Sequence, residues 1–140
     1  VVGNEEESLR QMEAVLKNGD TACFIFEPLV MAAGGMVIYS QEGLKSLIEC
    51  CKKHGVLTIA DEVMTGFGRT GPLFACDLLP EPPDIICLSK GITGGFLPLG
   101  ATACTNEIYN AFLSERLDHA FLHGHSYAGN PIACRCALAS

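Results

Sequence analysis

Short apolar runs alternate along the chain with longer segments in which apolar residues recur every three or four positions. Leu9, Met12, Val15 and Leu16 keep the helical period after Asn4, and Glu7 stands three residues beyond that asparagine. This spacing predicts a capped helix ending at Asn18–Gly19. Thr21 to Phe26 is a β-rich run that stops at Glu27–Pro28, where proline removes a backbone donor and ends the ladder. Ser40 can cap a second helix with Leu44, Leu47, Ile48 and Cys51 on its apolar face. Lys52, Lys53 and His54 suit the negative end of that helix before Gly55. A further buried strand, Val56 to Asp61, follows at once. Strand, helix and strand in this order predict a right-handed βαβ unit with parallel pairing, whose ligand edge lies beyond Glu27 and Asp61.

The next apolar run, Asp84 to Ser89, is reached through a long loop holding Gly66, Gly68, Gly71 and the prolines between Pro80 and Pro83. Ordered loops of this length usually serve function. Gly100 to Cys104 reads as a fourth strand of small residues. Thr105 is expected to cap a helix with Ile108 and Phe112 on one face. Asn130–Pro131 starts a last helix, which the sequence cuts off at Ser140. That ending leads us to expect a fragment, without a domain boundary inside it. The fold class expected is α/β, with a mostly parallel sheet and flanking helices.

Composition narrows the function. The chain has 140 residues, 49% of them hydrophobic and 18% charged, which suits a globular core. A net charge of -7, with 9 Lys+Arg and no basic cluster, argues against nucleic acid or an anionic membrane surface as partner. No apolar run approaches the roughly 18 to 20 residues of a membrane span, and the first residues lack a signal-peptide pattern, so a soluble chain of the cytoplasm is expected. The 8 cysteines are scattered through apolar runs without C-x-x-C spacing, which favours buried reduced thiols over bridges. His123 and His125 have no cysteine pair at zinc spacing, and no metal site is expected.

Two of the strand ends carry chemistry. Lys90 follows the Asp84 to Ser89 run, and a lysine there is by default a solvated charge. Its neighbours Leu88, Ser89, Gly91, Gly94 and Gly95 are apolar or small, so they can desolvate the amine and free it as a nucleophile. Asp61 ends the other run; a carboxylate can hold the proton on a pyridinium nitrogen, although an acidic pair such as Asp61–Glu62 more often caps a turn. An acid and a lysine at the carboxyl ends of two parallel strands can face one bound molecule, and this pair suggests a pyridoxal-phosphate site.

Four stretches carry a family resemblance: Glu27–Pro28, the run ADEVMTGFGRTG from Ala60 to Gly71, the run LSKGITGG from Leu88 to Gly95, and HGHSYAGNP from His123 to Pro131. Together they resemble the class III aminotransferases, fold-type I enzymes that use pyridoxal 5'-phosphate. The resemblance implies that Lys90 forms the Schiff base with the cofactor and shuttles protons, that Asp61 pairs with the pyridine nitrogen, and that Val63 rests against the ring. It further implies a homodimer in which Ser126 reaches the neighbouring subunit's cofactor phosphate while Gly124 and His125 line the neighbour's substrate pocket. Glu27 matches an acid near the active site held by a basic partner, the alternative being an exposed strand terminus. Arg69 is expected to brace backbone carbonyls of its loop.

Within the class, the segments from Glu27 to Met36, Pro72 to Thr102 and His123 to Cys134 most resemble the members that serve biotin synthesis. Those enzymes move an amino group from S-adenosylmethionine, or in some relatives lysine, to a keto acid, 7-keto-8-aminopelargonate. Met31–Ala32 departs from the Gln–Gly that relatives commonly carry. The resemblance also implies a phosphate-binding part before Val1 and a small domain after Ser140, so the 140 residues alone are expected to be inactive. Another class III ω-aminotransferase or aminomutase, and a noncatalytic module of the same fold, are the competing readings.

Overall fold

The computed structural model describes residues 4–140. Helix α1, Glu5–Leu16, starts where Asn4 Oδ1 accepts the Glu7 amide at 3.0 Å. The reciprocal half of the capping box does not form, because the Glu7 carboxylate bonds Gln11 at 2.8 Å and pairs with Arg10. Strand β1, Cys23–Phe26, leads to Glu27–Pro28 and then to a small hairpin that the pattern did not predict, β2 (Val30–Met31) antiparallel to β3 (Val37–Ile38). Helix α2, Gln41–Lys53, is capped by Ser40, whose Oγ accepts from the Gly43 amide at 2.9 Å.

Strand β4, Leu57–Asp61, follows the left-handed turn at Gly55. The long loop after it contains a 3-10 turn at Ala75–Leu78 before β5, Ile85–Leu88. Strand β6, Ala101–Cys104, and helix α3, Asn106–Ala111, come next. Thr105 precedes α3, but its side chain makes no cap bond, α3 has no buried residue, and Phe112 falls beyond the helix at 43% exposure. The expected amphipathic face is therefore not used. Helix α4, Pro131–Ala139, begins at Asn130, whose Oδ1 accepts from the amides of Ile132 and Ala133 at 2.9 and 3.3 Å.

The sheet order is β1-β4-β5-β6. β1 pairs parallel with β4 and β4 with β5, while β6 returns antiparallel to β5. Parallel pairing across a helical crossover leaves all three carboxyl ends on one edge. The strand pleat divides residues between faces: Phe26, Ala60 and half-buried Phe24 and Ile86 pack on Leu44 and Ile48 of α2 and on Cys76 and Leu79. Burying a Leu or Ile at such positions contributes about 1.5–3 kcal/mol each. A second cluster joins Leu16 to Cys50, Cys51 and Val56, with Leu9 and Met12 against it. Ile25 and Leu57, on the other face, stay 60% and 41% exposed. All eight cysteines are free thiols; Cys50, Cys51 and Cys76 are buried, but Cys23 and Cys104 are exposed, so burial is not the common reason for their presence.

Candidate active site

The parallel register places Asp61 beside Cys87, three residues before Lys90. The two residues singled out for cofactor chemistry therefore leave the same edge of the sheet on adjacent strands, where ligands of open α/β sheets bind. Asp61 is half-buried, and its Oδ1 accepts the Val63 amide at 3.0 Å. That bond orients the carboxylate and makes Val63, also half-buried, part of the turn above it. Among the described residues the second oxygen of Asp61 has no hydrogen-bond partner, so it is available to a donor from a ligand.

Lys90 opens a 3-10 turn, Lys90–Thr93, with φ of 46°. The flanking small residues were expected to bury the amine; instead Lys90 is exposed, because glycines supply no side chains to cover it. Among the described residues its amine has neither a hydrogen bond nor an ion pair. The turn beneath it is firmly held. Ser89 Oγ donates to Leu99 O at 2.7 Å, Thr93 Oγ1 to Leu97 O at 2.6 Å, and Thr93 is 1% exposed.

Backbone strain concentrates at this edge. Among the described residues, the non-glycine positions with positive φ are Leu29 and Met36 beyond β1, Phe67 beyond β4 and Lys90 beyond β5. Each costs on the order of 1–3 kcal/mol, and such residues cluster at functional sites because the surrounding structure must be arranged to hold them.

Glu62, expected at most to cap a turn with Asp61, is a buried acid that holds the loop below the site. It is fully buried; its Oε1 accepts the Cys76 amide at 2.7 Å and its Oε2 accepts the Thr65 hydroxyl. Its own amide donates to Cys87 O at 3.0 Å, so it ties the glycine-rich loop to the end of β5. Consecutive residues at a strand end point to opposite faces, so an acid following an open-face acid must turn inward. That was the available signal. Burial, helped by the Glu62 carboxylate, pushes the Cys76 thiol well up and keeps it protonated.

Among the described residues Glu27 has no basic partner. Its carboxylate accepts the amides of Ala32 and Ala33 at 2.9 and 3.0 Å, and the Tyr39 hydroxyl donates to its carbonyl. Burial pushes the Tyr39 phenol up to about 12, so it remains a donor. Because the hairpin meets Glu27 through backbone amides, the Met31–Ala32 departure does not disturb this contact. Arg69 is exposed and, among the described residues, braces no carbonyl. A groove of roughly 800 Å³ bounded by α1, α2 and the hairpin reaches Asp61 and Glu27, but Lys90 and Val63 are not on its walls.

Ser126, Gly124 and His125 are all exposed. The turn around them closes on itself: Tyr127 donates its amide to His125 Nδ1 at 3.1 Å and Ala128 to His125 O at 2.8 Å. Phe121, Leu122 and Tyr127 beside them are 66%, 77% and 74% exposed. Asp61, Val63 and Lys90 are thus brought together by the sheet, whereas no described hydrogen bond joins the Ser126 segment to them.

The residues at the sheet edge fit pyridoxal 5'-phosphate. An oriented carboxylate with one oxygen open can accept a pyridinium N–H, and an unpartnered amine lies on the neighbouring strand end. No described helix is long and apolar enough to cross a membrane.

Known aminotransferases resemble this chain in sequence and in fold. The adenosylmethionine-8-amino-7-oxononanoate aminotransferase of Synechococcus elongatus is 51% identical over 140 residues, which is 100% of this chain and 33% of that protein. The crystal structure of the enzyme of the same name from Methanocaldococcus jannaschii superposes with a TM-score of 0.85 at 44% identity, covering 94% of this chain and 32% of the other. A Bacillus anthracis aminotransferase gives 0.86 at 42% identity, covering 94% and 30%. The chain spans about a third of the length of these relatives. The family model for class-III aminotransferases matches residues 3–140, and the chain belongs to that family.

Proposed function

We propose that these residues form the central part of the cofactor-binding domain of a pyridoxal-phosphate aminotransferase of biotin synthesis. It transfers an amino group from S-adenosylmethionine to 8-amino-7-oxononanoate. The observation that carries the chemistry is the adjacency of Asp61 and Lys90 at the carboxyl ends of paired strands. The substrates rest on the 51% identity to the cyanobacterial enzyme of that name.

In this reading pyridoxal phosphate supplies the electron sink that stabilises a substrate carbanion. The Lys90 amine would hold the cofactor covalently and, when free and unprotonated, would carry protons to and from the substrate. The open oxygen of Asp61 would hold the proton on the ring nitrogen, and Val63 would flank the ring. Two copies assemble so that Ser126 of one reaches the phosphate bound by the other, with Gly124 and His125 lining that substrate pocket. The exposure of the Ser126 turn and of its apolar neighbours supports such a contact. The enzyme works in the cytoplasm on small molecules, with no membrane or nucleic-acid partner.

The test is an assay of the full-length enzyme with S-adenosylmethionine, or lysine, as donor and 8-amino-7-oxononanoate as acceptor, beside ornithine and 4-aminobutyrate with 2-oxoglutarate. Lys90→Ala should lose the visible absorbance of the attached cofactor and all transfer. Transfer confined to the ornithine or aminobutyrate reactions would overturn the substrates. A protein that never takes up the cofactor would favour a noncatalytic module.

A further inference from the structure

The turn that follows Asp61 and the turn that begins at Lys90 touch where Phe67 meets Gly91. A β-carbon built on Gly91 would approach Phe67 to 3.0 Å at Cβ, 3.1 Å at Cδ2 and 3.3 Å at Cγ, so the glycine backbone lies flush against that side chain. Phe67 is backed in turn by Phe74, with ring centroids 5.5 Å apart and planes at 71°, an edge-to-face pair. Gly91 is not among the positive-φ glycines, so no dihedral requires glycine there. Space does. Phe67 and Lys90 both hold left-handed backbones, at 63° and 46°, which non-glycine residues keep only when their surroundings over-determine them. The Lys90 side chain has no partner among the described residues that would account for its conformation. The constraint comes through the backbone: hydroxyl bonds of Ser89, Thr93 and Ser140 tie the turn to its neighbours, and Phe67 packs directly on it at position 91.

We propose that Phe67 is a positioning residue for Lys90: its ring, braced by Phe74 and seated on Gly91, holds the lysine turn in its left-handed form and presents the amine at the Asp61 edge. This rests on the cofactor reading above and adds to it a residue outside the reacting groups. It couples the two strand-end loops, so the distance between acid and amine is set by packing as well as by the sheet. A lysine free to relax from that backbone would still be able to meet the cofactor, but from a broader range of positions. Loss of orientation of this kind costs rate more than binding.

The experiment uses the full-length enzyme and its variants Phe67→Ala, Phe67→Leu and Gly91→Ala. The readouts are the rate at which apoenzyme attaches pyridoxal phosphate, followed by absorbance, and the mass of the borohydride-reduced peptide containing residue 90. Thermal midpoint and steady-state kinetics accompany them. Phe67→Ala should attach cofactor roughly 10- to 100-fold more slowly and lose kcat by a similar factor with KM nearly unchanged. Phe67→Leu, which keeps bulk on Gly91, should recover most of both. Gly91→Ala should reproduce the loss from the other side of the contact without emptying the core, and it decides the matter if Phe67→Ala does not fold. A Phe67→Ala enzyme with a lower thermal midpoint but normal attachment and kcat, or a Gly91→Ala enzyme at native rates, would overturn the proposal alone. Native enzyme carrying no reduced cofactor at residue 90 would overturn the cofactor reading and this proposal together.

Discussion

Replacing Glu62 tests whether its carboxylate organises the loop between Asp61 and Cys76. In Glu62→Leu the Cys76 amide and the Thr65 hydroxyl lose their acceptor in a site with no solvent access. An orphaned buried donor costs about 1–3 kcal/mol, so two give roughly 2–6 kcal/mol. Glu62→Gln keeps an oxygen for the Cys76 amide, and the Thr65 hydroxyl can rotate to accept from the new NH₂ group. Its cost should stay below about 1.5 kcal/mol. Mid-range costs of about 4 and about 1 kcal/mol leave about 3 kcal/mol between the variants, so at a urea m-value of about 1–3 kcal/mol per molar the leucine variant should unfold at a midpoint roughly 1–3 M below the glutamine variant, at unchanged m. If both variants unfold within roughly 0.3 M of each other, the carboxylate is not holding the loop and the assignment of Glu62 is wrong.

Two further outcomes can be checked directly. The Glu5 carboxylate accepts from the Ser40 hydroxyl and from its amide at 2.6 Å, and these bonds hold its pKa below the ordinary 4.5. Its stabilising effect is therefore complete above the unfolded value and disappears as pH falls through the lower folded one; thermal midpoints of native protein and Glu5→Gln should differ at pH 6 and converge in strong acid. Burial raises Cys51 to about 11 and also raises Cys50, while Cys23 and Cys104 are exposed. In native protein at about pH 8, alkylation followed by peptide mass mapping should mark Cys23 and Cys104 first and reach Cys51 and Cys76 only with denaturant; early labelling of Cys51 would contradict the packing.

The larger elements were legible because each rests on one strong local signal. Ser40 and Asn130 mark helix starts through side-chain oxygens, and Phe24, Phe26 and Ala60 alternate as strands with one buried face must. Asp61 and Lys90 could be read from their strand ends because parallel pairing sends such ends to one edge. The hairpin at Val30–Ile38 was hidden, since two-residue strands carry no period. The partners of Glu27 were not legible, since its carboxylate is satisfied by nearby amides, which have no sequence signature. The exposure of Lys90 was missed for a related reason: small neighbours were taken as a cover, but cover requires side chains. No described hydrogen bond ties Ser126 to the Asp61 and Lys90 edge, and the contact proposed for it with a second copy has no local pattern.

At the opposite edge of the sheet, Asp84 Oδ2 accepts both the amide and the hydroxyl of Thr58 at 2.7 Å, and Thr58 Oγ1 accepts the Asp84 amide at 3.2 Å. This double latch indexes β5 against β4. A slip by one position would carry Lys90 about 3.3 Å along the strand axis and turn each β5 side chain to the other face. Two residues remote from the Asp61 and Lys90 edge thus act as a vernier for the amine and the acid at the far end.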